Sequence, residues 1–266
     1  MRVWLVDKKI SIILLVFICA FFTLILMGHV NKNSEAMSVL NTQERDLPIY
    51  CVDTDEKKIA ISFDAAWGCE DTETLIDILG ERNIKTTFFV VGEWVDKYPD
   101  AVKKLSDAGH EVMNHSATHP HMTQISTEKM KQELDECGSK IEAVTGVRPN
   151  LFRPPYGDYN NDVVGAAREC GYYTIQWSVD SLDWKDLSAD EIYDRVVSKA
   201  EPGSIVLFHN AAKHTPEALP KILDKLTGDG YEIVPVSELI IKDNYKIDAN
   251  GMQYSTNNDQ SEGNND

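Results

Sequence analysis

The chain has 266 residues, and its 43 acidic residues outnumber its 26 lysines and arginines to give a formal net charge of −17. This balance argues against a nucleic-acid-binding protein, because neutralising phosphates requires clustered basic side chains. Apolar residues make up 42% of the chain, enough for a sizeable core, and five cysteines are too few for a disulfide scaffold.

The first predicted element is an apolar helix over Ile10–Gly28, a run without a charged side chain. At about 1.5 Å per residue, a helix of this length roughly spans the hydrocarbon layer of a membrane. Arg2, Lys8 and Lys9 precede it, which predicts a cytoplasmic N-terminus and an extracytoplasmic remainder. The interpretation that we favour is an uncleaved single-pass anchor in the cell membrane; a cleaved signal peptide and a buried helix are the alternatives.

Polar segments flank a single predicted domain at residues 57–240. Residues 1–30 hold the cytoplasmic flank and the anchor, and residues 31–56 show no periodic pattern, which is typical of a linker. Residues 241–266 end in an Asn-, Asp-, Ser- and Gly-rich sequence that is too poor in apolar groups to fold, so we expect a flexible tail. Four cysteines follow the anchor and can form two disulfides or remain free; they are Cys51, Cys69, Cys137 and Cys170.

Strand patterns alternate with helical patterns through the predicted domain. The strands are predicted at Lys58–Phe63, Thr86–Val91, His110–Met113, Leu151–Phe152, Tyr173–Val179, Ser204–Phe208 and Glu232–Pro235. The helices are predicted at Asp71–Asn83, between Gly92 and Gly109, from Ser126 to Gly146, at Asn161–Cys170, after the capping box Ser188–Glu191, and at Pro216–Leu226.

About seven strands, most of them followed by a helix, predict a parallel sheet with helical crossovers. This repetition favours a deformed (β/α)7-type barrel over an open doubly wound sheet, and no GxGxxG sequence follows the first strand. In such barrels the active site gathers at the carboxyl ends of the strands. The residues that follow each strand are therefore the candidates for function.

Charged or titratable side chains follow five of the predicted strands. They are Asp64, His115, His119, Arg153, Asp183 and His209. Each of them alone has a common structural explanation, as a turn residue, a surface residue or a buried residue with a partner. Their repeated placement at one end of successive strands instead predicts that they form a single site.

The residue types predict metal-assisted hydrolysis of an acyl group. The histidine pair can bind a divalent cation, which would polarise a carbonyl and bind a water. Asp64, held ionised by Arg153, would take a proton from the water. His209, oriented by Asp183, would donate a proton to the leaving nitrogen.

Five sequence motifs in this order resemble those of the polysaccharide deacetylases, the family 4 carbohydrate esterases with a NodB-homology domain. The motifs are Ser62-Phe63-Asp64-Ala65, His115-Ser-x-x-His119, Arg153-Pro-Pro-Tyr156, Asp180-x-x-Asp183-Trp184 and Leu207-x-His209. The resemblance covers about Lys57 to Leu239 and implies a deformed (β/α) barrel that removes N-acetyl groups from chitin-like or peptidoglycan glycans. It also implies zinc, cobalt or a similar ion. The segments Phe63–Gly68 and Gly92–Pro99 are similar to those of membrane-anchored, sporulation-associated deacetylases of Gram-positive bacteria.

The resemblance also implies a role for each matching residue. Asp64 would be the base with Arg153 as its partner, and His209 the acid tuned by Asp183. Tyr156 would offer its backbone N–H to the oxyanion. The implied metal ligands are His115 and His119, and we expect Trp67, Pro154 and Trp184 to contact the glycan.

Ala65 departs from the family pattern, because the resemblance implies a second Asp, a metal ligand, at this position. Two histidines without a third protein ligand bind a divalent ion more weakly. An alternative function is therefore a weakly active or inactive glycan-binding protein of the cell envelope. Retention of both predicted catalytic pairs favours the enzyme, since binding alone requires neither a base nor an acid.

Overall fold

Strands and helices alternate through most of residues 45–257, the part of the chain that this computed structural model describes. The strands are β1 (Cys51–Val52), β2 (Lys58–Ala65), β3 (Thr87–Val90), β4 (Glu111–Asn114), β5 (Leu151–Phe152), β6 (Tyr173–Thr174), β7 (Val179–Asp180), β8 (Ile205–His209), β9 (Glu232–Val234), β10 (Tyr245–Ile247) and β11 (Met252–Ser255). The helices are α1 (Thr72–Gly80), α2 (Gly92–Lys97), α3 (Pro99–Asp107), α4 (Thr127–Thr145), α5 (Asn161–Glu169), α6 (Ala189–Val197), α7 (Thr215–Gly228) and α8 (Val236–Leu239). Short 3-10 turns lie at Met122–Gln124, Pro155–Gly157 and Asp183–Lys185.

The main sheet is parallel and has the order β6-β5-β4-β3-β2-β8-β7, with β9 paired to the first residues of β2. From Ile59 to Ala65, every residue of β2 is buried, as expected for a parallel strand that is covered on both faces. Phe63 stacks with Phe88 and Phe208 and belongs to one buried cluster with helix residues such as Leu75, Leu105 and Leu219. The sheet therefore carries its helices on the outer face and brings the carboxyl ends of its strands together at one edge.

The predicted strand Tyr173–Val179 is divided in the structure. Its first residues form β6 at one edge of the main sheet, and its last residue begins β7 at the opposite edge. Between them, Ile175 N–H donates to Phe152 O and Ser178 N–H donates to Ile205 O. The segment thus crosses from one edge of the curled sheet to the other, and this single α/β domain fits the predicted deformed (β/α)7 barrel.

The helix ends predicted from local sequence patterns agree with those in the structure. The Ser126 side chain accepts a hydrogen bond from the Lys129 N–H before α4, which ends at Gly146 in the left-handed conformation with φ 76°. The predicted capping box is present, with Ser188 and Glu191 each accepting from the other's backbone N–H before α6. These residues satisfy backbone polar groups that a helix end otherwise leaves unpaired, so a few neighbouring residues are enough to predict where the helix begins or ends.

The structure differs from the predicted linker at 31–56 and the predicted tail at 241–266. β1 pairs in parallel with β11, and β11 pairs in an antiparallel manner with β10, so both segments contribute to a three-stranded sheet. Hydrogen bonds order this polar sequence. Asp248 Oδ1 accepts from the N–H groups of Asn250 and Met252 in the hairpin turn, and the buried Gln253 side chain bonds both backbone groups of Ile241.

The predicted anchor at Ile10–Gly28 lies outside the described residues and stays a prediction. Within residues 45–257, no helix combines the length and the apolar character that crossing a bilayer requires.

The four cysteines that the structure describes are free thiols, which answers the question that the sequence left open. Cys137 is buried in α4, and its thiol donates to Val90 O at 3.3 Å. Burial raises the pKa of Cys137 to about 12, so it remains a neutral, unreactive part of the core at physiological pH.

The imidazole of His110 is expected to make the fold acid-sensitive. His110 is 5% exposed, and its Nδ1 accepts from the Thr86 N–H at 3.2 Å. Burial and the nearby Lys85 lower the pKa of His110 to about 4. Neutral His110 therefore stabilises the fold fully only above its unfolded pKa near 6.5. As the pH falls toward 4, the free energy of unfolding drops by about 3 kcal/mol, because the unfolded chain binds a proton that the folded chain does not.

Chemical denaturation at pH 7 and pH 4 measures this effect. Wild type is expected to lose about 3 kcal/mol more unfolding free energy over this interval than His110→Gln. His121→Gln is the control, because it makes the same substitution at a half-exposed histidine outside the buried core. Equal losses in wild type and His110→Gln would show that His110 does not govern the acid response.

Candidate active site

A cleft of about 580 Å³ opens at the carboxyl ends of the parallel strands. Seven of the residues that the sequence singled out line it: Asp64, Trp67, His115, His119, Tyr156, Trp184 and His209. Ala66, Gly157, Trp177, Asp180 and Leu207 complete the lining. The strand-end residues are therefore brought together in one place.

Asp64 and Arg153 form an ion pair below the cleft. Arg153 Nη1 donates to Asp64 Oδ1 at 2.7 Å, and its Nη2 donates to Ser62 Oγ and Gln176 O. Arg153 is 0% exposed and Asp64 is 6% exposed. Burial favours the neutral acid, but the charge and hydrogen bond of Arg153 together with the nearby imidazoles of His115 and His209 outweigh it, and the pKa of Asp64 lies below its ordinary value. The carboxylate is thus ionised at neutral pH, as a general base must be.

His209 and Asp183 form the second pair. His209 Nδ1 donates to Asp183 Oδ1 at 2.8 Å, and the His209 backbone N–H donates to Oδ2 at 2.8 Å. Burial opposes protonation of His209, but the hydrogen bond and charge of Asp183 outweigh it and raise the pKa of His209 above its ordinary value. Because Nδ1 is engaged by Asp183, Nε2 is the nitrogen available to a substrate.

The two pairs stand side by side. Asp64 and His209 are direct partners in the register between β2 and β8. Neighbouring strands lie about 4.8 Å apart, and partnered residues of parallel strands point to the same face of the sheet. The Asp64 carboxylate and the His209 imidazole therefore face the same space at the ends of β2 and β8.

The predicted metal ligands lie in the loop that follows β4. His115 Nδ1 donates to Arg153 O at 2.7 Å, and the rings of His115 and His119 are 5.0 Å apart. His119 has a positive φ of 58° and its N–H donates to Ser116 Oγ, so the loop is tightly constrained. Burial lowers the pKa of His115, and burial together with the charge of His115 lowers that of His119 to about 4. Both rings are neutral at pH 7, the form that binds metals.

Among the described residues, the candidate metal site has two histidine ligands, His115 and His119, and no third protein ligand. Within residues 45–257, no three His, Cys, Asp or Glu side chains form a group that could hold a metal ion. Asp64 Oδ2 lies 3.5 Å from His115 Nε2, but this carboxylate is already paired with Arg153. Ala65 is buried and supplies no ligand. The residues present do not complete a three-ligand zinc site, and we assign no step of the reaction to a metal.

Ala65→Asp is expected to tighten zinc or cobalt binding tenfold or more, if the new carboxylate contributes at least about 1.4 kcal/mol. An anionic oxygen at the end of β2 would add a third ligand to the histidine pair. Calorimetric titration of the full-length protein with each metal measures the affinity.

Ala65→Asn is the matched control, because it adds nearly the same volume without the charge. Ala65 is buried among apolar side chains, so thermal unfolding of both variants separates loss of fold from loss of affinity. Nanomolar binding by wild type, unchanged in Ala65→Asp, would contradict the prediction and show that another group completes the site.

Not every predicted substrate contact reaches the cleft. Pro154 is buried in extended backbone beside Arg153 and is not one of the lining residues. Trp177 does line the cleft, but sequence reasoning missed it because it lay within a strand that was predicted to be continuous. Trp177 is half-buried there and borders the cleft beside Gly157.

Three exposed aromatic rings surround the cleft. Trp67 is 45% exposed, Tyr156 62% and Trp184 54%. The Trp67 ring stacks on the His209 ring with centroids 5.7 Å apart, and the Tyr156 ring stacks on His121 at 4.3 Å. Tyr156 has a positive φ of 61°, which sets the direction of its backbone groups in the turn Pro155–Gly157.

The sequence matches the polysaccharide deacetylase family over residues 52–175. It is 32% identical to the peptidoglycan-N-acetylmuramic acid deacetylase PdaA of Bacillus subtilis over 202 residues, which cover 74% of this chain and 77% of that protein. The chain therefore belongs to the polysaccharide deacetylase family, whose motifs it carries around the cleft.

Other relatives differ in length and in reported activity. The chain is 34% identical to the uncharacterized protein YlxY of Bacillus subtilis over 73% of its own length but spans only 60% of that protein. The solved structure of BA3943, described as a CE4 family pseudoenzyme from Bacillus anthracis, is similar with a TM-score of 0.70 and 36% identity, covering 72% of this chain and 68% of that one. A mutant of BA3943 with restored enzymatic activity matches at 38% identity. The family thus contains both active and inactive relatives of this chain.

Proposed function

We propose that the protein hydrolyses N-acetyl groups on a cell-envelope or chitin-like glycan. The observation that carries this proposal is the adjacent placement of a base pair and an acid pair, Asp64 with Arg153 and His209 with Asp183, at the ends of β2 and β8. A site that only binds a glycan requires neither an ionised buried base nor a histidine of raised pKa beside it.

The side chains divide the reaction between them. Asp64 accepts a proton from a water whose oxygen attacks the acetyl carbonyl carbon. The carbon–nitrogen bond breaks as His209 Nε2 donates its proton to the nitrogen, which releases acetate and a free amine. The Tyr156 N–H is the expected donor to the oxyanion that forms in between.

The exposed rings of Trp67 and Trp184 supply the surfaces for the sugar. Flat aromatic faces pack against the apolar faces of pyranose rings, and both tryptophans border the two catalytic pairs. The N-acetylated glycan is therefore proposed to lie across the cleft between them.

Acetate release from a panel of glycans tests the proposed function. The panel contains chitin oligomers and peptidoglycan fragments that present N-acetylglucosamine or N-acetylmuramic acid, each with and without added zinc or cobalt. Release that disappears in Asp64→Asn supports the proposal. No release from any glycan under either metal condition would overturn it.

A second candidate, a glycan-binding envelope protein of weak or no activity, is favoured by Ala65 and by the absence of a three-ligand cluster within residues 45–257. The same panel discriminates the two. Calorimetric binding of a chitin oligomer without acetate release would support this candidate. Wild-type turnover of about 1 per second or more, within the usual range of enzymes, would exclude it.

We also propose that Ile10–Gly28 anchors the protein in the cell membrane with its catalytic domain outside. Full-length protein is then expected to fractionate with membranes and to resist carbonate extraction, because an apolar helix of this length remains in the bilayer. Immunoblotting of the fractions measures this. A mature chain that begins near residue 30 in the medium would show cleavage instead.

A further inference from the structure

Thr215 lies behind the pair formed by His209 and Asp183, on a separate element. It is the first residue of α7 and is fully buried. Its hydroxyl donates to Asp183 Oδ2 at 2.7 Å. In the described structure, the Asp183 carboxylate thus accepts two hydrogen bonds from His209 and a third from Thr215.

The position of the Thr215 hydroxyl is fixed independently of the catalytic strands. Ala218, Leu219 and Ile222 of the same helix are fully buried in the apolar cluster between the sheet and the helices. Both other hydrogen bonds to Asp183 come from His209, the residue whose proton is transferred. Thr215 is therefore a donor that holds this carboxylate without involving the acid itself.

A hydroxyl that donates to a carboxylate draws part of its negative charge away from its other partner. We propose that Thr215 is a positioning residue that shares the Asp183 carboxylate with His209 and so limits how tightly His209 holds its proton. The effect of this role on catalysis rests on the proposed function, because a histidine that binds its proton less tightly transfers it faster to the leaving nitrogen.

Other charged groups face His209 from the surrounding elements. They are Asp64 on β2, Asp180 on β7, His115 and His119 in the loop after β4, and Asp71, which faces Asp183. None of them contacts the Thr215 hydroxyl through a hydrogen bond that the described structure contains. A change in the proton affinity of His209 in a Thr215 variant therefore reports on the bond to Asp183.

NMR titration of the His209 imidazole in EDTA-treated full-length protein tests the proposal, with the signal assigned by its loss in His209→Gln. Thr215→Val keeps the side-chain shape and removes the donor. We expect the midpoint of His209 to rise by about half a pH unit or more, a threefold gain in proton affinity. Thr215→Ser, which restores the hydroxyl, should return it to the wild-type value.

Thr227→Val is the matched control, because it makes the same substitution in α7 where the hydroxyl donates to Leu223 O instead. An unchanged or lowered midpoint in Thr215→Val, or an equal rise in Thr215→Ser, would overturn the proposal. If Thr215→Val does not fold, Thr215→Cys, which keeps the size and has a much weaker donor, is measured and interpreted in the same way.

The titration does not require turnover, so it separates this proposal from the proposed function. A wild-type protein without acetate release would end the deacetylase proposal, and the NMR shift would still decide the role of Thr215. In an active protein, the alkaline limb of kcat in Thr215→Val should move upward by the amount that NMR measures.

Discussion

Replacing Arg153 with leucine is expected to move the acid limb of the acetate-release profile upward by at least about one pH unit. Asp64 acts only when ionised, so activity falls as the pH drops through its pKa. Arg153 lowers that pKa against the opposing effect of burial, and its loss therefore removes activity first at acidic pH. Values of kcat/KM between pH 4 and pH 8 measure the shift.

The same variant leaves the buried Asp64 carboxylate without its partner. Removing one member of a buried ion pair lowers the free energy of unfolding by about 3–5 kcal/mol. Arg82→Leu is the control, because Arg82 Nε pairs with the exposed Asp224 at 2.7 Å and a surface pair contributes about 1 kcal/mol or less. An acid limb that stays in place in a folded Arg153→Leu protein would show that Arg153 does not control Asp64.

His209→Ala is expected to lower kcat on an N-acetyl substrate by about 10²- to 10⁴-fold, the usual contribution of general acid catalysis. Asp183→Asn should also lower it and should move the alkaline limb to lower pH, because His209 loses the partner that raises its pKa. The double variant should lose little more than the worse single variant, since the two residues act as one unit.

Asp158→Asn is the control for this pair, because Asp158 directly follows the cleft residue Gly157 but its carboxylate accepts from Thr123 rather than from His209. An activated acetate ester, whose leaving group needs no proton, should be affected much less by His209→Ala than an acetamide is. Multiplicative losses in the double variant, or equal losses on both substrates, would contradict the assignment of His209 as the acid.

The catalytic pairs were predictable because their signal repeats along the chain. A parallel sheet places every strand's carboxyl end at one edge, so Asp64 and His209 could be expected to meet without any knowledge of their distance. Their partners were predictable for a related reason, since a charge at a buried strand end requires a counter-charge. The register that makes Asp64 and His209 direct neighbours was not predictable, because it depends on the pairing of strands far apart in sequence.

Other features of the structure leave no pattern in the sequence from which they could be predicted. Gln253 and Asp248 order the last strands by hydrogen bonding, which hydrophobic periodicity does not detect. Apolar and polar residues alternate along Tyr173–Val179, and this period of two predicts one continuous strand even though the chain crosses between the sheet edges. Thr215 lies at a helix start, where a threonine is common for reasons unrelated to a distant carboxylate.

The pairing of β1 with β11 has a consequence for how the protein is made. Cys51 pairs with Met252, about 200 residues further along the chain, and contacts of such long separation slow folding because a large loop must close first. During synthesis the barrel strands emerge well before the hairpin of β10 and β11. The edge of β1 that faces β11 therefore stays unpaired until β11 has been synthesised, although Gly203 and Ser204 can already pair with its other edge.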